Sequence, residues 1–489
     1  MKYTPKQIEE ISHGNPIEIA AFITNLLLYI EKLETHIDQQ QKHIVKLETR
    51  VKELERQVGL TSTNSSKPPS SDGLRKPTSL RKSGGKIGAP KGHDGYTLKP
   101  IDQPDEIEWH KVEVCSHCET SLADLPSEGY IRRQVFDLPI PRVVVTEHRI
   151  EKKCCPNCGT KQNAPSPENV KAPVQYGDNW IAYCAYLNTY HHLPLERICQ
   201  LFHDMTGYRP SEATLLHRLA SISTKIEPHT TYIREELLKS AVVHADETGM
   251  RIEDKTQWLH TVSSSDWTLY HVHEKRGKIA IEDHDVLPKY RGILVHDCWA
   301  SYFTTDFSFD HALCGAHLLR ECQGIIDYDG HQWAADMKEL LQEACHHKKK
   351  WRLENIPIKE ADALEWEKRY DRILERGAKE WATDSIPDAP PKRGRIKKSK
   401  AANLATRFQL HKAAILRFIW DARVPFDNSQ AERDIRMMKV KQKVSGHFRT
   451  NEGAKQFAQI RGFISTLHKQ NRDILSSLIS VTRGEFTFE

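Results

Sequence analysis

The sequence predicts a multidomain α+β protein, and three observations lead there. A chain of 489 residues is too long for one ordinary core, and its length argues for three or more units. The first sixty residues carry a heptad repeat. Farther along, short apolar runs ending in aspartate are interspersed with helix-like stretches, as in a sheet covered by helices.

Whole-chain charge says little, because 71 basic residues face 66 acidic ones for a net charge of +5. Local clusters of cations say more. No apolar run reaches the roughly 18 residues of a membrane span. The apolar stretch near 22–30 has neither a basic leader nor a small-residue cleavage site, so it does not read as a signal peptide. The eleven cysteines are an odd number for a disulfide scaffold and include CxxC pairs, which favours metal in a cytoplasmic chain.

In the first unit, 1–60, Leu26, Ile30, Leu33, Ile37, Ile44, Leu47, Val51, Leu54 and Val58 alternate at steps of four and three, with Gln40 in the one polar seat. β-Branched residues at one seat and leucine at the other favour a parallel two-stranded coil about 50 Å long, hence a homodimer. A helix packed on its own domain is the alternative. Residues 61–100 follow, rich in Ser, Pro and Gly. They cannot bury enough apolar surface to fold alone. Their cations, including Lys67, Arg75, Lys76, Arg81 and Lys82, make either a strap for phosphates or a solvated linker.

The unit 101–170 holds 115-CSHC-118 and 155-CPNC-158. Each pair forms a knuckle, and Cys115, Cys118, Cys155 and Cys158 together offer the four thiolates of one structural Zn²⁺. Cys154 is the rival of Cys155, and a redox dithiol is the alternative chemistry. Residues 135–153 read as the short strands of a zinc ribbon. In 171–238, two helical patterns flank Gly207, with Ser211 as the cap of the second. That suits either a helix-turn-helix or an ordinary helical hairpin.

From 239 to 330, a strand ending at Asp246 precedes a hairpin over 257–274. A helix over 278–287 and a second strand ending at Asp297 follow. This order opens a ribonuclease-H-like sheet, in which the first and fourth strands are neighbours and bring the two aspartates together. Adjacent carboxylates repel unless a cation joins them. Hard divalent ions take such oxygen ligands, and a third carboxylate completes a two-metal site. In 426–489, Glu432 sits in the first turns of a helix capped at 427–429, ahead of Arg436, Lys439 and Lys443. A surface ion pair of Glu432 with Arg436 is the other reading. Between them, 331–425 reads as a helical insertion. Its basic loop, with Arg393, Arg395, Lys397 and Lys398, either grips DNA or solubilises the surface.

These residues resemble the transposases of insertion-sequence family sixty-six, of the DDE class. The resemblance spans nearly the whole chain: the zipper, NSSKPPSSD at 64–72, the cysteine knuckles, 244-HADETG-249, 296-HDCWASY-302 and 427-DNSQAERDIR-436. It implies Asp246, Asp297 and Glu432 as catalytic ligands of two Mg²⁺ (or Mn²⁺) ions. It also implies DNA ends and target DNA as partners, and small accessory proteins beside some relatives. The CxxH of Cys314 and His317 matches a feature of several such enzymes and is read as supporting the core, contacting DNA or forming a buried structural pair. The competing function is a non-catalytic, dimeric, zinc-containing DNA-binding regulator. A resolving nuclease of the same fold is the third reading.

Overall fold

In the computed structural model, residues 4–65, 72, 98–138, 141–304, 306–382 and 398–488 are described. A short helix α1 (Pro5–Ser12), capped by Thr4, precedes α2 (Pro16–Gly59). Asn15 caps α2 by accepting from the amides of Ile17 and Glu18, and Pro16 sits where no amide partner is needed. At 44 residues α2 is about 66 Å long. It buries no side chain of its own. The heptad seam lies open, with Ile37 63% and Leu47 51% exposed.

Strands β1 (Lys152–Cys154) and β2 (Lys161–Asn163) form a two-stranded antiparallel ladder around the second cysteine pair. The ribbon strands expected over 135–153 are otherwise absent among the described residues. Val135 and Val145 project into solvent, and with no strand opposite them the β-branched residues have nothing to pair with.

Helix α3 (Asp178–Ala185) runs through a π-helical turn at 186–190 toward α4 (Leu195–Thr206) and α5 (Glu212–Lys239). Gly207 closes α4 in the left-handed region (φ 78°), and the Ser211 hydroxyl accepts from Thr214 N, as the sequence suggested. The second helix is longer than a groove-reading helix requires. Its 28 residues place Ile222, Ile226, Ile233 and Leu237 in the core of the main sheet.

That sheet contains β3 (Val242–Ile252), β4 (Lys255–Ser263), β5 (Thr268–His273), β6 (Ile293–His296) and β7 (Asp310–Leu313), in the order β5-β4-β3-β6-β7. β3 and β6 are parallel neighbours, and β7 continues in parallel beyond β6. Helix α6 (Lys278–Asp283) bridges β5 to β6 and is shorter than expected. β3 also corrects the sequence reading: it runs on past Asp246 to Ile252, because β4 pairs with it all the way from His244↔Ser263 to Ile252↔Lys255.

Helices α7 (Gly315–Asp329), α8 (Gln332–Glu354), α9 (Glu360–Ala382), α10 (Lys400–Leu410) and α11 (Lys412–Trp420) pack as one apolar cluster against β6 and β7. Helix α12 (Ser429–Ser445) lies over β3 and β4, where Ile435 and Met438 meet Met250, Ile252 and Leu259. Helix α13 (Asn451–Lys469) joins the α12 cluster through Phe457 and Ala458 in its first half and packs with α5 through Ile460, Phe463 and Ile464 in its second, where α14 (Ile474–Arg483) joins it.

The linker reading is corrected at its start. Residues 61–65 are seated on the end of α7: Asn64 is buried and donates to Asp327 Oδ2 and Tyr328 Oη, both at 3.3 Å. Just before it, Arg56 grips Asp329 with two bonds of 3.0 and 3.1 Å. Gly324 makes this seat possible, since a Cβ there would stand 2.3 Å from Asn64 O. Gly324→Ala favours the isolated helix by about 1 kcal/mol, yet we expect it to lift 59–65 off α7. Limited proteolysis checks this: cleavage near residue 62 rises severalfold in the variant, and unchanged cleavage would refute the seat.

Candidate active site

β3 and β6 set the first two carboxylates. His244 lies opposite Val295 in the parallel register, so two residues on, Asp246 comes level with Asp297, just beyond the end of β6. Alternation along β3 turns His244, Asp246, Met250 and Ile252 toward the α12 face. Glu432 lies in the first turn of α12. The three oxygens do not all fall within 4.8 Å of one another. A pair of ions about 3.8 Å apart, each with bonds of about 2.1 Å, spans ligands up to roughly 8 Å apart.

Asp246 carries the electrostatic signature of the site. Burial raises its carboxyl pKa well above the ordinary carboxylate range, and negative neighbours Glu247, Asp297 and Glu432 add to the rise. The Glu247 amide, donating to Asp246 Oδ1 at 2.9 Å, opposes it. Burial likewise raises Asp297, against the Trp299 amide at 3.1 Å and the cations Arg276 and Arg407.

Three residues to which the sequence assigned no part in the site itself shape it. Glu247 points to the other face of β3, where Tyr302 Oη donates to it at 2.9 Å and Arg276 Nε at 3.0 Å. Arg276 in turn lies over the rings of Trp258 (5.0 Å) and Trp299 (4.5 Å). Asn428 is the third. It occupies the cap position of α12 without capping it by side chain. Its amide instead donates to Ala245 O at 2.8 Å, and its oxygen bonds His244 Nδ1 at 2.9 Å. One buried side chain thus ties the start of α12 to the two residues before Asp246. The motif 427–436 held that signal, but a cap-forming asparagine looks alike whether it caps or bridges.

Glu432 finds its neighbours on α7: the His317 ring, Nδ1 at 3.7 Å, which burial keeps neutral near pH 7, and the Arg320 guanidinium at 3.8 Å. Cys314, the last residue before α7, accepts from Asn428 N through its sulfur at 3.2 Å. Cys314, His317 and Glu432 are the one group of three or more metal-type donors drawn within 4.8 Å among the described residues.

Of the expected DNA-contacting cations, Arg436 and Lys443 lie exposed along α12. Lys439 is corrected: its Nζ donates to Gly249 O on β3, and burial lowers its pKa. The neighbouring Lys441 is buried 3.8 Å over the Phe448 ring. A long aliphatic stem lets such a residue pack inward, which a count of cations cannot reveal. Lys398 donates to Thr406 Oγ1 at 3.0 Å. Lys67, Arg75, Lys76, Arg81, Lys82, Arg393, Arg395 and Lys397 lie outside the described residues.

The cysteine pairs form two matching turns. Cys115 N bonds Thr120 O and Cys155 N bonds Thr160 O, each at 2.9 Å, while Glu119 and Gly159 return their amides to Cys115 and Cys155. The Thr120 and Thr160 hydroxyls, 3.2 Å from Cys118 and Cys158, hold those thiols below their ordinary pKa. Cys154 donates its thiol to Gly159 O instead, so Cys155 is the counterpart of Cys115. The two turns are not gathered into one four-sulfur cluster.

The family model described as Transposase IS66 family matches residues 173–456, more than half of the chain. The chain belongs to the IS66 transposase family. Its matched part contains the sheet, the aspartates, the helical insertion and Glu432. Residues 15–99 of this transposase match a second model, a family of unknown function (DUF6444), which takes in the rod and the segment seated on α7. No curated protein matches the chain. As a transposase it acts on DNA. Among the described residues no helix is long and apolar enough to cross a membrane.

Proposed function

We propose that this transposase cuts DNA at the ends of an insertion sequence and joins the freed 3′-hydroxyl to target DNA, with Asp246, Asp297 and Glu432 as its catalytic carboxylates. The observation that carries the reading is Asp246, an acid made costly to ionise first by its burial and then by the negative charges of Glu247, Asp297 and Glu432. Such an arrangement is destabilising in itself and makes sense as a seat for positive charge. Support for a ribonuclease-H-like catalytic unit comes from the strand order, in which the first and fourth strands of the sheet are parallel neighbours.

The donor set fits hard divalent cations: all three side chains offer oxygen. Asp246, Asp297 and Glu432 would hold two Mg²⁺ or Mn²⁺, which when bound supply an activated oxygen nucleophile and neutralise charge on the phosphodiester. In the cleavage step, water forms the new P–O bond as the bond to the 3′-oxygen breaks. In joining, the 3′-hydroxyl takes the place of water. Arg436 and Lys443, exposed beyond Glu432, would meet backbone phosphates and hold the strand in line. Arg276 keeps Glu247 engaged on the far face, so that Asp246 remains oriented to the α12 side.

A nicking assay on end-labelled DNA bearing the element's inverted repeats tests the reading. Cleavage should require Mg²⁺ and vanish with Asp297→Asn; cleavage that survives both chelation and this substitution rules it out.

The rod would pair two copies through its open seam, so that two element ends are handled together. Leu47→Glu with Val51→Glu should convert a dimer to a monomer in sedimentation velocity; a wild type that already sediments as a monomer counts against the pairing. The knuckles would share one structural Zn²⁺, which requires Cys115 and Cys118 to close on Cys155 and Cys158.

A further inference from the structure

We propose that Cys314, His317 and Glu432 form a second metal site, one that takes a single borderline transition dication of the zinc class. It is chemically distinct from an all-oxygen magnesium site.

The fold assembles the three donors from two helix starts. β7 delivers Cys314 to the N-terminal boundary of α7, and His317 follows in the first turn. Helix α12 brings Glu432, in its own first turn, beside the start of α7. The sulfur, nitrogen and oxygen all lie within 4.8 Å of one another.

The separation of two of them is informative. His317 Nδ1 stands 3.7 Å from Glu432 Oε1. That is too far for a hydrogen bond. Two ligands on one tetrahedral ion, with bonds of about 2.1 Å, stand roughly 3.4 Å apart. His317 Nδ1 is also shut off from solvent and has no hydrogen-bond partner. A buried ring nitrogen left without a partner is costly, and a metal bond would satisfy it.

The sulfur is prepared as well. Cys314 Sγ receives the amide of Asn428 at 3.2 Å and also that of His317. Burial pushes the Cys314 thiol up to about 12, and both amides oppose that rise, as does the start of a 15-residue helix, so the thiolate forms together with the metal bond. A thiolate, an imidazole and one carboxylate select zinc-like ions over magnesium. Three protein ligands leave the fourth position for water. Binding releases the thiol proton to solvent and draws Glu432 away from Arg320, which stands 3.8 Å from the same oxygen.

Glu432 is therefore a ligand shared by two sites with different metal preferences. Zinc bound here would draw Glu432 from its place beside Asp246 and Asp297 and so inhibit magnesium-dependent cleavage. The inhibition rests on the catalytic reading of Glu432; the binding does not.

Co²⁺ substitution in the full chain tests the site. Wild type should bind one more equivalent than Cys314→Ser. That equivalent should bring a thiolate-to-cobalt absorption and the visible bands of tetrahedral cobalt, lost in Cys314→Ser and weakened at least tenfold in affinity in His317→Ala and Glu432→Gln. Cys345→Ser, a half-buried cysteine outside the group, should keep them. Equal cobalt stoichiometry and spectra in wild type and Cys314→Ser would overturn the proposal, whatever the nicking assay shows. In that assay, a slight molar excess of zinc over protein should slow wild-type cleavage at least tenfold and leave Cys314→Ser close to its own zinc-free rate. Cobalt binding without zinc inhibition would uphold the site and count against Glu432 as a catalytic ligand.

Discussion

Asp246→Asn is expected to abolish magnesium-dependent nicking while raising the thermal stability of the metal-free protein. Losing one ligand of a two-metal site removes several kcal/mol of transition-state stabilisation, about a thousandfold or more in rate. Stability moves the other way, because burial and three acidic neighbours oppose ionisation of Asp246. Its pKa is higher in the folded than in the unfolded state, where it is about 3.9. The native state then keeps the proton at pH values where the unfolded chain has lost it. Stability is lost as pH climbs from about 4 toward the raised folded value. Asparagine carries no charge to lose, so the variant should melt higher at neutral pH, by about 2–4 °C for each kcal/mol relieved.

A pH scan of the wild type alone would obscure this effect. Burial lowers the pKa of His260 and His317 to about 4 and of His296 to about 3. Those groups contribute stability above about pH 6.5 that is lost as pH falls through their folded values. The difference in melting temperature between wild type and Asp246→Asn isolates the carboxyl: it should be largest near neutrality and shrink on acidification. Adding Mg²⁺ should raise the wild-type melting temperature and leave the variant nearly unmoved. Undiminished nicking, or a variant that melts lower at every pH, would sink the assignment.

The sequence revealed the parts of this molecule that depend on local pattern. The heptad seam and the Gly207 turn with its Ser211 cap rest on spacing within a short window, and the aspartates level on neighbouring strands rest on the order of successive elements. What stayed hidden depends on partners far away in the chain. β3 runs through the polar stretch 246–251 because β4 supplies a ladder from His244 to Ile252, not because those residues favour strands. The ribbon strands expected over 135–153 illustrate the converse: apolar, β-branched residues are present, and among the described residues no strand lies opposite Val135 or Val145. Lys439 reads as part of a basic face, yet it and the neighbouring Lys441 turn inward to a strand carbonyl and an aromatic ring. Arg56 and Asp329 meet across 273 residues of sequence, which no window could join. At the site, the three acids stood out as residue types at strand and helix ends. Their support by Asn428, Arg276 and Arg320 did not.

Asn428→Ala should lower nicking by about a hundredfold and raise the Mg²⁺ concentration needed for half-maximal rate. The side chain is 2% exposed and makes both of its bonds to β3, one to Ala245 O and one to His244 Nδ1. Truncation orphans two buried polar groups, at about 1–3 kcal/mol each. It also frees the first turn of α12, which carries Glu432. A displacement of about 1 Å at a catalytic ligand is enough for a loss of two orders of magnitude. Asn428→Asp tests the same bond with a different outcome. The carboxylate can still accept from His244 but cannot donate to Ala245 O, and it adds a negative charge near Asp246 where charge is already disfavoured. It should therefore need more Mg²⁺ than wild type, and because the added charge raises Asp246 further, its nicking should fall off at a higher pH than that of the alanine variant. A purely structural Asn428 would lower the melting temperature in both variants and leave the Mg²⁺ dependence of nicking unchanged. That result would separate α12 from the placement of Glu432 and remove the link between β3 and the third carboxylate.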